Sequence, residues 1–280
     1  MEWDVSREIF TIGFFTLRWY SLAFVFSFLL GFYISRDMYV SEKRPAEYVD
    51  DLFLYVFIGT LVGARLGHCL FYDPGYYLSH PIEIFKIWQG GLASHGAAIG
   101  ILLALYYFVK KHKHVTYLWT VDRVVVVVAL AGCFIRLGNL FNSEIYGKPT
   151  DVSWAFIFKS VDNIPRHPTQ IYEAVAYLTV FILLYMLYKK PVIRAKQGYL
   201  FGLFLASVFG FRFFVEFFKE NQVAWEGGLP LNMGQILSIP LVALGAWLMY
   251  RAVPIEDAVL KEPVAEQTKG KKKKKKSNNS

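Results

Sequence analysis

Long apolar stretches, broken by short clusters of charge, dominate the chain from residue 18 to residue 250. A hydrocarbon layer of roughly 30 Å is crossed by about 20 helical residues. Seven stretches meet that length, at about 18–35, 51–72, 92–109, 119–142, 170–188, 198–218 and 232–250. The pattern predicts an all-α, polytopic integral membrane protein with seven transmembrane helices. Residues 1–17 are too short to span and mix Glu2, Asp4, Arg7 and Glu8 with Trp3, Ile9, Phe10, Phe14 and Phe15, as an N-terminal interfacial arm would. The segments 73–91 and 143–169 are rich in Gly, Pro and Tyr and suit a small extracytoplasmic cap. Residues 251–280 lack a core-forming pattern and read as a disordered basic cytoplasmic tail. The expected organisation is arm, seven-helix transmembrane domain over 18–250, and tail.

Composition agrees: 55% of residues are hydrophobic and 18% aromatic. The formal charge of +8 suggests nucleic acid until it is located. Lys269 and Lys271 to Lys276 carry nearly all of it, so no nucleic-acid surface is expected, and a polylysine block beside a membrane would attract anionic lipid. The start, MEWDVSREIF, has neither the basic opening nor the small-residue cleavage site of a secretory signal and reads as mature. Two isolated cysteines, Cys69 and Cys133, make no metal spacing, and no metal or other cofactor is expected.

Lysine and arginine concentrate in alternate loops: Arg36, Lys43 and Arg44, then Lys110, Lys111 and Lys113, then Lys189, Lys190, Arg194 and Lys196. By the positive-inside rule these loops are cytoplasmic. The N-terminus is then extracytoplasmic and the C-terminus cytoplasmic. In that orientation the polar groups within the spans gather towards the outer face: Arg65, His68, His95, Arg136, Asn139, Asn142, Glu144, Arg212 and Glu216. An arginine at a helix centre costs about 2.5–3.5 kcal/mol on insertion scales, so such residues face a bundle interior and mark a site. Arg136, Asn139 and Ser143 stand three and four apart and should share a helix face, with Gly147 and Pro149 ending the helix. Neither a G-x-S-x-G elbow, an H-E-x-x-H pair nor a G-x-x-x-x-G-K-[ST] loop occurs in the sequence.

Five fragments, LRWYSL at 17–22, GGLASHG at 90–96, GCFIRLGNLFNSEIYGKPT at 132–150, RHPTQIYEA at 166–174 and GFRFFVEFFKE at 210–220, occur in the order of one family. Over residues 7 to about 250 the chain resembles the prolipoprotein diacylglyceryl transferases. The resemblance implies transfer of the diacylglyceryl group of phosphatidylglycerol to the lipobox cysteine thiol in the signal peptide of a prolipoprotein. A thioether forms and glycerol phosphate is released, in the first step of bacterial lipoprotein maturation. It also implies roles. Arg136 and Arg212 hold the phosphate, His95 is the candidate general base, and Tyr20 donates a hydrogen bond to substrate. Asn139, Glu144, Gly147 and Glu216 complete the substrate site, with His167, Gln170, Tyr172 and Glu173 as a supporting network. Ala97 stands where many relatives have glycine. A transporter or flippase of an anionic lipid is the alternative, supported by the echo between RLGHCLF at 65–71 and RLGNLF at 136–141.

Overall fold

The computed structural model describes residues 1–13, 15–220 and 230–254. The chain runs β1 (Glu2–Trp3), β2 (Glu8–Ile12), β3 (Phe15–Arg18), α1 (Trp19–Ser41), α2 (Glu47–Phe71), α3 (Pro74–Ser79), α4 (Ser94–Lys111), α5 (Tyr117–Phe141), β4 (Phe156–Phe158), β5 (Pro165–Arg166), α6 (Thr169–Tyr188), α7 (Pro191–Arg194), α8 (Tyr199–Val215) and α9 (Met233–Arg251). Single 3-10 turns cover Pro81–Phe85, Ile87–Gln89 and Glu216–Phe218. A helix stands at each of the seven expected spans. Among the described residues six of them, α1, α2, α5, α6, α8 with its 3-10 extension, and α9, are long and apolar enough to cross a membrane. α4 is not among the six, because His95 at one end and Lys110 and Lys111 at the other dilute its apolar stretch. The helices make this an all-α, multi-pass membrane protein. The basic block of the tail lies outside the described residues.

The described residues divide into two units, one of Met1–Ser35 with Val121–Pro254, the other covering Arg36–Thr120. In the first unit α8 packs against both α6 and α9. The approach of α8 to α9 is set by glycine: a Cβ on Gly202 would stand 2.6 Å from the Gly245 carbonyl oxygen. Lipid tails are as apolar as leucine, so membrane helices associate by such close packing rather than by escape from water. Asp122, buried in α5, accepts hydrogen bonds from the Gly198 and Phe201 amides at 2.7 and 2.8 Å. It thereby satisfies amides at the start of α8 that no helical carbonyl can reach. At the opposite end Asn232 and Gln235 form a capping box on α9.

The N-terminal residues, expected as an arm, take up strand structure. β1 joins β4 in parallel, β4 joins β5 antiparallel, and β2 and β3 form a hairpin. Its turn passes through Gly13 at φ 61°, a left-handed value that glycine adopts without strain. The Met1 amino group donates to the Ala155 carbonyl at 2.6 Å. Residues 143–169 thus form a small sheet with the chain start, seated on Trp3, whose ring stacks on Phe156 and tilts against Phe141.

The second unit is built on the pairing of α2 with α4. Gly59, Gly63 and Gly67 recur every fourth residue and oppose Gly96, Gly100 and Ala104. A Cβ on Gly67 would lie 2.6 Å from the Gly96 Cα, so the two backbones touch. At one end of this pair Asp51 bonds Lys111 at 2.7 Å and His112 at 2.9 Å. At the other, buried Arg65 donates to the carbonyls of Glu83, Ile84 and Gly90 at 2.5, 2.9 and 2.7 Å. Arg65 therefore clamps the segment that leads into α4.

Candidate active site

The polar positions of the first unit come together where α5, α6 and α8 approach one another. α5 brings Arg136 and Asn139 to one face, and Arg136 Nη1 donates to Asn139 Oδ1 at 3.4 Å. Asn139 in turn donates to Glu144 Oε1 at 2.8 Å, and Asn142 donates to the same oxygen at 3.2 Å. Ser143 does not join this face. α5 ends at Phe141, six residues before Gly147, and Ser143 and Ile145 have φ of 53° and 57°. A β-branched residue at positive φ is an outlier that its surroundings must enforce. Here the Gln170 amide donates to the Glu144 carbonyl at 2.8 Å and Thr169 Oγ1 to the Ile145 carbonyl at 2.9 Å, both from the first turn of α6.

Gly147 lies just beyond that strained turn and pairs as an isolated bridge with Lys219. Its amide donates to the His167 carbonyl at 2.9 Å. A Cβ there would meet the Phe218 carbonyl oxygen at 2.6 Å and His167 Cβ at 2.7 Å. Glycine is demanded by this three-segment crossing, not by a helix stop. Gly138 similarly makes room for the Tyr20 ring, whose Cδ2 would stand 2.8 Å from an added Cβ.

The arginines meet carboxylates. Arg136 Nε lies 3.2 Å from Glu173 Oε2, and its guanidinium carbon sits 5.9 Å from the centre of the Tyr177 ring. Arg212 Nε lies 3.3 Å from Glu216 Oε1, one helical turn on. Both contacts are off hydrogen-bond alignment, since Glu173 Oε2 and Arg212 Nε are buried without a bonded partner. Lys219 connects them: its ammonium donates to Glu173 Oε1 at 2.9 Å and to Glu216 Oε1 at 3.4 Å. Asn232 adds a 3.2 Å bond to Glu216 Oε2. The result is one chain of charge, Arg136, Glu173, Lys219, Glu216, Arg212, in which three cations face two buried carboxylates. Among the described residues the two terminal nitrogens of Arg212 have no hydrogen-bond partner, and its side chain is 33% exposed. A planar fork held by a carboxylate on one side and open on the other suits a phosphate.

Arg166, 7% exposed, pairs with Asp162 at 2.6 Å and with Glu220, and lies over the Tyr146 ring. The Asp162 carboxyl is held below the usual range, first by its hydrogen bond from Arg166, and the Arg166 guanidinium is raised by the same bond. His167 bonds the Tyr172 hydroxyl at 3.1 Å, and burial pushes its imidazole below the ordinary value.

Of the expected residues, Arg136, Asn139, Glu144, Arg212 and Glu216 thus belong to the first unit, together with Gly147 and Tyr20. His95 is carried by the second unit, exposed at the start of α4, where its ring meets Phe71 edge-on at 5.2 Å and Tyr72 at 5.9 Å. Lys219, which is not among the expected site residues, stands three residues after Glu216 and seven after Arg212, a spacing that shares their face. Tyr177, Asn232 and Gln235 were passed over, and a lone tyrosine or amide in an apolar run gives no signal of its own. The echo of RLGNLF in RLGHCLF has a structural account, because Arg65 binds loop carbonyls rather than a second site. A groove of about 780 Å³ runs along the α2 and α4 seam, but Leu54, Ile58, Val62, Leu66 and Leu103 line it and it holds neither arginine.

A family model described as prolipoprotein diacylglyceryl transferase matches residues 7–251. The chain is 50% identical over 248 residues to a protein of Tolumonas auensis named phosphatidylglycerol--prolipoprotein diacylglyceryl transferase, covering 88% of this chain and 95% of that one. Proteins of the same name from Chloroherpeton thalassium and Bacteroides fragilis are 48% and 45% identical, over 90% and 89% of this chain and 94% of each relative. Motifs in order, helices at their expected places and full-length likeness agree: the chain belongs to the prolipoprotein diacylglyceryl transferase family.

Proposed function

We infer that this chain transfers the diacylglyceryl group of phosphatidylglycerol to the cysteine thiol of a prolipoprotein. The thiolate sulfur attacks the glycerol carbon that carries the phosphate ester. A carbon–sulfur bond forms, the carbon–oxygen bond breaks, and glycerol phosphate departs with the electron pair. A free thiol has a pKa near 8.5, so a base must take its proton, and His95 is the residue assigned to that step. Charge grows on the leaving phosphate, and fixed cations in a water-poor site stabilise it. Arg136 and Arg212 supply them, Asn139 and Tyr20 donate to ester or phosphate oxygens, and Glu173 and Glu216 orient the guanidiniums.

The observation that carries this reading is the open fork of Arg212 at the end of a charge chain with a surplus cation. The lipid donor enters sideways from the outer leaflet, and the substrate cysteine arrives on a membrane-inserted signal peptide. The basic alternate loops support an inner-membrane location with the N-terminus outside and the C-terminus in the cytoplasm.

Purified protein incubated with phosphatidylglycerol and a lipobox peptide should add a diacylglyceryl mass to the peptide cysteine. Arg136→Ala and Arg212→Ala should abolish that addition while the protein still inserts in membranes. An unmodified peptide, with anionic lipid crossing a vesicle wall instead, would overturn the reading in favour of a flippase.

A further inference from the structure

The transfer chemistry leaves Lys219 without a task, although it sits at the centre of the buried charge chain. Its side chain is 3% exposed, so it cannot reach substrate itself. It touches the two carboxylates that also meet the arginines: Glu173, 3.2 Å from Arg136, and Glu216, 3.3 Å from Arg212. Its backbone is fixed as firmly, bridged to Gly147 and followed across the turn by the Lys148 amide, which bonds the Phe218 carbonyl at 2.8 Å.

We propose that Lys219 is a positioning residue for anionic-lipid binding, sharing both carboxylates so that Arg136 and Arg212 keep uncancelled positive charge at a fixed separation. Remove it, and each arginine faces one carboxylate of its own, so the buried charges cancel. Keep it, and these five side chains carry one positive charge more than negative, with Glu144 held off Arg136 by Asn139, which bonds both. A stabilising role alone is a weaker account, because taking an ammonium and two carboxylates out of water offsets most of what their attraction returns. The consequence for turnover rests on the transferase reading, whereas the consequence for lipid binding does not.

Protein in nanodiscs is compared for binding of phosphatidylglycerol and of a zwitterionic phosphatidylcholine, for thermal unfolding, and for KM and kcat of peptide modification. Lys219→Met should weaken phosphatidylglycerol binding on the order of 10- to 100-fold, the range of one charge-assisted contact, and leave phosphatidylcholine binding unchanged. Its KM for phosphatidylglycerol should rise more than its kcat falls, and Lys219→Arg should restore both to within about threefold. Where Lys219→Met does not accumulate, Lys219→Gln, which keeps a hydrogen-bond donor between the two carboxylates without the charge, takes its place and should show the same selective loss of phosphatidylglycerol binding. Undiminished phosphatidylglycerol affinity in folded Lys219→Met overturns the proposal. Equal loss of both lipids with a lowered unfolding temperature does so too, as does a folded Lys219→Gln that binds phosphatidylglycerol as the wild type does. Wild-type protein that binds lipid but modifies no peptide would count against the transferase reading alone, and the binding comparison would still decide Lys219.

Discussion

At Gly147 three backbone segments cross with no space for a methyl group. Two of the atoms nearest an added Cβ, the Phe218 carbonyl oxygen and His167 Cβ, are held by hydrogen-bonded main chain, so neither can yield cheaply. Gly147→Ala should therefore cost about 1–3 kcal/mol, the usual range for overpacking, and displace Lys219 through the bridge it shares with position 147. Thermal unfolding in detergent would show the loss, with transfer activity falling in parallel. An unfolding temperature equal to wild type would mean the crossing relaxes freely. Ile145 points the same way, because its positive φ is strain that the bonds from Thr169 to its own carbonyl and from Gln170 to the Glu144 carbonyl help to hold.

Among the elements, the small sheet of β1, β4 and β5 with its flanking loops is where acid should be felt first. His167 and Asp162 both have folded pKa values below their unfolded ones, through burial and through Arg166 respectively. Stability from a depressed group is complete above its unfolded pKa and is lost as pH falls through its folded pKa. The His167 contribution should thus begin to fade below about pH 6.5 and that of Asp162 below about pH 4. Amide-exchange protection over residues 145–167, corrected for intrinsic rates, should drop in two steps. Asp162→Asn should remove the lower one, and protection that stays flat down to about pH 3 would show that neither group is coupled to folding.

At the scale of the whole molecule the seventh crossing decides on which side of the membrane each terminus lies. Six helices qualify as spans by length and apolarity, and α4 has the position of a seventh but carries His95, Lys110 and Lys111 at its ends. Ends of this kind suit the two interfaces, with the apolar middle of the helix, AAIGILLALYYF, between them. If α4 crosses, the termini lie on opposite sides. Single cysteines at Ser6 and Val253 are suitable reporters, since Cys69 and Cys133 are buried. A membrane-impermeant thiol reagent should label the Ser6 position from outside and spare the Val253 position. Both labelling from one side would reduce the count to six and undo the assignment of the basic loops to the cytoplasm.

Much of this was legible without coordinates. Apolar runs of membrane length fix where helices form, because a lipid-buried backbone must bond to itself and a helix does so locally. The cost of a charge in hydrocarbon likewise marks Arg136 and Arg212 as residues with a purpose. What spacing along one helix cannot tell is which carboxylate on another helix an arginine will meet. Arg136 could have turned to Glu144 or to Glu173, and only the packing of α5 against its neighbours sent it to Glu173 and left Glu144 to Asn139 and Asn142. Lys219 was readable as a charge, but its place between two carboxylates from different helices is a property of the assembled bundle. Local bonding is encoded residue by residue, whereas long-range pairing of buried charges exists only once the helices have chosen their partners.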